Sequence, residues 1–143
     1  MGESRKTPFL FFTVCELFPH ADHTEIEGND RMKKEEIRGF AYRKTAKRFV
    51  AKYKNGAWQA GGLTSRSVVT LNESAAVLQY AQTCFEGLKA YRAKDGRILC
   101  FRPDLNEARL HDSCVRMMIP PLPEGMFLRA VREVLSAHRD ALP

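Results

Sequence analysis

In the last quarter of the chain, apolar residues recur with a helical period. Phe127, Ala130, Val131, Val134, Leu135 and His138 fall at i, i+3, i+4, i+7, i+8 and i+11, with cations opposite. The spacing predicts a helix with one stripe toward a core, and His138 at its end reads as a packing or capping group. Upstream, "IPPLP" breaks a second helical stretch, "LNEARLHDSCVRMM", which Pro103 separates from the preceding strand and Asp104 is placed to cap. Before that the period shortens to two. Phe85 to Arg92 reads as a strand, Asp95-Gly96 as a tight turn and Arg97 to Phe101 as the returning strand. Residues 73–83, "ESAAVLQYAQT", are helix-prone, "SVVTL" is a β-branched run that reads as a short strand, and "QAGGLTSRS" before it reads as loop. Asn55-Gly56 between Tyr53 and Trp58 is a hairpin signal of the type I′ class. Hairpins mixed with helices, without alternating βαβ units, predict an α+β domain. Residues 1–38 hold neither period and read as an extension, partly disordered, ahead of a folded unit from 39 to 143.

Composition changes this picture little. The 143 residues carry a net charge of +6, a length fit for one modest domain. The charge is local. Between Arg31 and Lys54 stand ten Lys or Arg and two Glu, with few planar stacking groups and no recognition-helix or zinc-finger pattern. A solvated basic surface is the favoured reading, and no nucleic-acid partner is assigned. Cys15, Cys84, Cys100 and Cys114 form no C-x-x-C pair, so they read as reduced thiols. The "HADH" at 20–23 lacks further spaced ligands, and no metal is assigned. The apolar run Phe9 to Phe18 is too short to span a bilayer and contains Glu16, and Lys6 breaks a myristoylation motif. The expectation is a soluble, cytoplasmic protein with no membrane partner.

Gly87 raises the chemical question. A glycine inside a strand gives up packing and entropy, so it marks a bulge or a close approach to the backbone. In an extended chain Phe85, Gly87, Lys89 and Tyr91 face one way and Glu86, Leu88, Ala90 and Arg92 the other. The first set offers an aromatic wall, a gap and a cation, which suits a pocket for an apolar group beside an anionic one. It equally suits a solvated face covered by Lys89. On the following helix Arg109 and Arg116 lie seven residues apart with Asp112 between them. They read either as an anion site or as cations paired with Asp112 at the surface.

The run "LQYAQTCFEGLKAYRAKDGRILCFRPDLNEARLHDSCVRMMIPPLPEGMFLRAVREVL" resembles the N-terminal domain of branched-chain amino acid aminotransferases, class IV pyridoxal-phosphate enzymes. "QYAQTCFEGLKAYR" and "FRPDLNEARLHDS" carry the resemblance, which extends back through "YKNGAW" and weakly into "GFAYRKT". The resemblance implies the small N-terminal domain of fold type IV over residues 39–143, with the first 38 poorly matched. It implies amino transfer between leucine, isoleucine or valine and 2-oxoglutarate, as part of branched-chain amino-acid biosynthesis, in a cytoplasmic homodimer. Arg109 then binds the cofactor phosphate. Phe85 and Gly87 line the pocket for the branched side chain, Tyr80 is lent across the dimer interface, and Lys89 lies near the site. Gly87 leaves room for substrate or cofactor. The family's Schiff-base lysine belongs to a second domain, so no catalytic residue is assigned, and the 143 residues are expected to be inactive alone. Two alternatives stand beside this. One is a silent fragment acting as a dimerising or partner-binding module. The other is a different fold type IV enzyme, such as a D-amino acid aminotransferase or aminodeoxychorismate lyase.

Overall fold

A computed structural model describes residues 45–142. Cys15, the "HADH" stretch, the proposed extension and most of the basic segment lie outside the described residues. The elements are mixed α and β, and every strand pairing is antiparallel. β1 (Arg48–Val50) pairs with β4 (Gly62–Thr64), in the register Phe49 to Leu63. Between them β2 (Tyr53–Lys54) and β3 (Ala57–Trp58) form the expected hairpin. Asn55 and Gly56 have φ of 52° and 80°, the left-handed pair that a type I′ turn requires. Tyr53 and Trp58 meet edge-on across it at 5.5 Å.

Two sequence expectations fail here. The run "SVVTL" forms no strand; Val68 and Val69 are 66% and 37% exposed. Strand β4 lies instead inside "QAGGLTSRS", a stretch read as loop. The reason is packing: Gly61 lets the chain pass directly over β1. A Cβ at Gly61, whose φ is +67°, would sit 2.9 Å from the Phe49 ring and from the Ala51 Cβ. Close approach of backbone outweighs intrinsic β-propensity.

Helix α1 (Ala76–Tyr80) is shorter than the helix-prone stretch that holds it, and Ala81 ends it with φ of 49°. β5 (Ala90–Arg92) and β6 (Ile98–Cys100) pair around the Asp95-Gly96 turn, where Asp95 accepts hydrogen bonds from the Arg97 backbone and Nε. Helix α2 (Pro103–Arg116) starts with proline at its first turn, as its missing N–H allows. Asp104 does not cap it. The capping position is Arg102, in the left-handed region at φ 43°, and Asp104 sits inside the first turn with its carboxylate on the Arg102 guanidinium at 2.7 Å. A carboxylate there still opposes the helix dipole favourably.

Helix α3 (Met126–Ala137) divides its apolar stripe between two clusters. Phe127, Val131 and Leu135 pack with Leu110, Cys114, Ile119 and Leu142, whereas Ala130 and Val134 pack with Phe49 and Ala51. Each row has the i, i+4 spacing of one helix flank. The inactive-fragment reading implies that Phe127, Val131, Val134 and Leu135 are partly exposed on an interdomain face; the structure corrects this, since all four are at most 8% exposed. His138 is a packing group as expected. It is buried, its Nε2 accepts the Lys47 N–H at 3.1 Å, and its Nδ1 lies 2.9 Å from the Val134 carbonyl. Trp58 Nε1 donates to the Pro121 carbonyl at 2.8 Å, tying the β2–β3 hairpin to the segment between α2 and α3. None of the helices among the described residues is long and apolar enough to cross a membrane.

Candidate functional site

Residues 81–89 form no ladder, so the expected strand Phe85 to Arg92 is reduced to β5 at its C-terminal end. The period of two nevertheless holds. Gln82, Cys84, Glu86 and Leu88 are half-buried, while Thr83, Phe85, Gly87 and Lys89 are exposed. Helix α2 takes the place of a partner strand. Gln82 Nε2 donates to the Met117 carbonyl at 2.8 Å, Arg109 grips Glu86, and Asn106 Nδ2 donates to the Gly87 carbonyl at 3.0 Å. From 82 to 87 the strap has five steps, and from 117 to 106 the helix has eleven. Both lengths come to about 16 Å, so an extended strap runs straight and antiparallel along the helix.

At the middle of the strap, the Glu86 side chain is 3% exposed, whereas that of Arg109 is 68% exposed. Arg109 donates through Nε to one carboxylate oxygen at 2.7 Å and through Nη2 to the other at 2.5 Å, a fork-on-fork pair. Asn106 Nδ2 and the Gly87 N–H add bonds to the same carboxylate at 2.8 and 3.0 Å. The Arg109 guanidinium holds the Glu86 carboxyl below its usual range against the opposing push of burial, with Asn106 and the Gly87 N–H helping. Glu86 in turn raises the Arg109 value further, so the guanidinium stays charged at every accessible pH. Of its five N–H groups two are held by Glu86. The arrangement is an exposed guanidinium fixed from behind by a buried carboxylate.

The sequence-derived residues separate in space. Arg109 and Gly87 are brought together by Asn106 and Glu86. Phe85 is 88% exposed and Tyr80, at the end of α1, 76% exposed; Lys89 is exposed on the same strap face as Phe85. The pairing of Arg109 with Asp112 is corrected: its carboxylate is Glu86, and Asp112 lies 3.6 Å from His111 Nδ1. What approaches Gly87 within the chain is Phe85, whose ring would stand 3.3 Å from an added Cβ. Glu86 and Asn106 escaped the sequence reading. One signal was available: Glu86 alternates inward with Leu88, and an inward carboxylate needs a buried cation or donors.

No family model matches the chain. Curated relatives do. The chain is 50% identical over 104 residues to a branched-chain-amino-acid aminotransferase of Helicobacter pylori, covering 73% of this chain and 31% of that protein. It is 46% identical over 104 residues to a branched-chain-amino-acid aminotransferase of Haemophilus influenzae, covering 73% and 30%. A protein named methionine aminotransferase BCAT4, of Arabidopsis thaliana, is 41% identical over 105 residues, again covering 73% and 30%. The chain thus spans about 30% of the length of the curated relatives it matches.

Proposed function

From a chain that is a relative of the branched-chain-amino-acid aminotransferases over 104 of its residues, we propose that these residues form the N-terminal, fold type IV domain of such an enzyme. The activity is amino transfer between a branched-chain amino acid and 2-oxoglutarate, in a cytoplasmic homodimer. The extent of the sequence identity carries this reading. The cofactor would be pyridoxal 5′-phosphate, which when bound supplies the electron sink for amino transfer. The donor set fits its phosphate: Arg109 is exposed, bound through only part of its fork, and locked in orientation by a buried carboxylate. The neighbouring negative charge of Glu86 offsets part of the attraction, so Arg109 acts by direction as well as by charge.

Phe85 and Gly87 would line the apolar side of the substrate pocket, with Lys89 at its edge. The exposed Phe85 ring lying against Gly87 supplies an apolar face of the right chemistry. Tyr80 would be lent to a neighbouring subunit, a role that its exposure at the end of α1 supports. An apolar pocket separates side chains differing by one methylene by only about 1 to 3 kcal/mol, so the preferred amino acid is not fixed by these residues.

A chimera provides the test. The aligned 104 residues replace their counterpart in the Helicobacter relative, and transamination of L-leucine with 2-oxoglutarate is assayed. The expected result is turnover by the chimera and none by a polypeptide of residues 1–143. A folded chimera that aminated 2-oxoglutarate from D-alanine and ignored L-leucine would overturn the branched-chain reading. Turnover of leucine by residues 1–143 alone would overturn the domain assignment.

A further inference from the structure

Cys84 and Cys114 are the remaining pair along the strap. Between the Gln82 and Glu86 anchors, Cys84 turns inward onto the cluster in which Cys114 is fully buried. The helix register brings Cys114 to this position, between Met117 and Arg109, which already hold residues 82 and 86. Burial, followed by the neighbouring Cys84, pushes the Cys114 thiol up to about 11. Cys84 is the more exposed of the two. This asymmetry gives one sulfur that an oxidant can reach and one shielded sulfur waiting behind it.

We propose that Cys84 and Cys114 form a reversible, peroxide-driven disulfide that staples the strap 82–87 to helix α2. In the first step the Cys84 thiolate attacks a peroxide oxygen. The O–O bond breaks, water leaves after protonation, and Cys84 becomes a sulfenic acid. In the second step the Cys114 sulfur attacks the Cys84 sulfur, the S–O bond breaks, and a second water leaves with the Cys114 proton. Two thiols and one peroxide give one disulfide and two waters. A dithiol reductant reverses the change. Gln82 and Glu86 fix the line of the strap on both sides of Cys84. The staple holds Glu86 against Arg109 whether or not the aminotransferase reading is correct.

The test treats the purified 143-residue chain with hydrogen peroxide and maps cysteines by mass spectrometry without reduction. The expected product is a monomer lighter by two hydrogens, with the Cys84 and Cys114 peptides linked and dithiothreitol restoring both. Amide exchange within 82–87 should slow by about tenfold or more on oxidation, as expected for a segment tied at its middle. Cys84→Ser, at a half-buried position on the rim of the core, should abolish both changes, Cys114→Ala should abolish the link, and Cys100→Ser should leave both changes in place. A disulfide mapping to Cys15 or Cys100, a cross-link between chains, or over-oxidation of Cys84 with Cys114 still a thiol would overturn the proposal.

Discussion

Helix α3 and the strap 81–89 solve the same problem in opposite ways. The helix buries its apolar stripe in two clusters and keeps only packing groups there, His138 included. The strap turns alternate residues inward but holds on with polar anchors, Gln82, Glu86 and Gly87, and leaves Phe85 in solvent. Burial of apolar area stabilises the first; directed hydrogen bonds position the second. The contrast shows where stability and chemistry reside. The polar anchors fix a surface that exposes an aromatic ring, Phe85, and a cation, Lys89.

The same substitution in the two regions should give the largest contrast. Phe127→Ala removes a ring that is 1% exposed and should cost about 3 to 5 kcal/mol in urea unfolding. Phe85→Ala removes one that is 88% exposed and should change stability by no more than about 0.5 kcal/mol. Equal costs would mean the strap is part of the core. Glycines extend the contrast at smaller scale. Gly61→Ala places a Cβ 2.9 Å from Phe49 and Ala51 at a positive φ, and should cost about 2 kcal/mol. Gly87→Ala meets only the far edge of an exposed ring at 3.3 Å and should cost less than about 0.5 kcal/mol.

The polar anchor should show itself most clearly in pH. Glu86→Ala removes the carboxylate that accepts from Arg109, Asn106 and the Gly87 N–H and should cost about 1 to 2 kcal/mol at neutral pH. Because the native Glu86 value is lowered, its contribution is present above the unfolded value of about 4.3 and fades as pH falls through the native value. Amide exchange of residues 82–87 should therefore quicken, relative to the α3 amides, below about pH 4 in the wild type and not in Glu86→Ala. An acid-insensitive strap would remove Glu86 from its anchoring role.

The sequence made local features legible and distant ones obscure. Asn55-Gly56, the Asp95-Gly96 turn, α2 and α3 all follow from short-range chemistry: positive φ, a proline start, a helical period. The alternation of 82–89 was also readable, but its partner was not. A period of two says that one face is buried, without saying whether a strand or a helix covers it. Strands β1 and β4 were missed because the close crossing of Gly61 over Phe49 matters only once the chain is folded. Arg109 was legible as a cation on a helix face, with spacing that left an anion site and a pairing with Asp112 both open, while the carboxylate that holds it lies 23 residues away in sequence. Contacts across such a separation leave no local pattern.

The proposed role of Arg109, braced by Glu86, in receiving the cofactor phosphate separates two ligands that differ only in that group. In the chimera, affinities for pyridoxal 5′-phosphate and for pyridoxal, which lacks the phosphate, are measured with Arg109 intact and with Arg109→Ala. The account predicts that the substitution weakens the phosphorylated ligand by about tenfold or more and leaves pyridoxal nearly unchanged. Equal weakening of both ligands, or of neither, would contradict it.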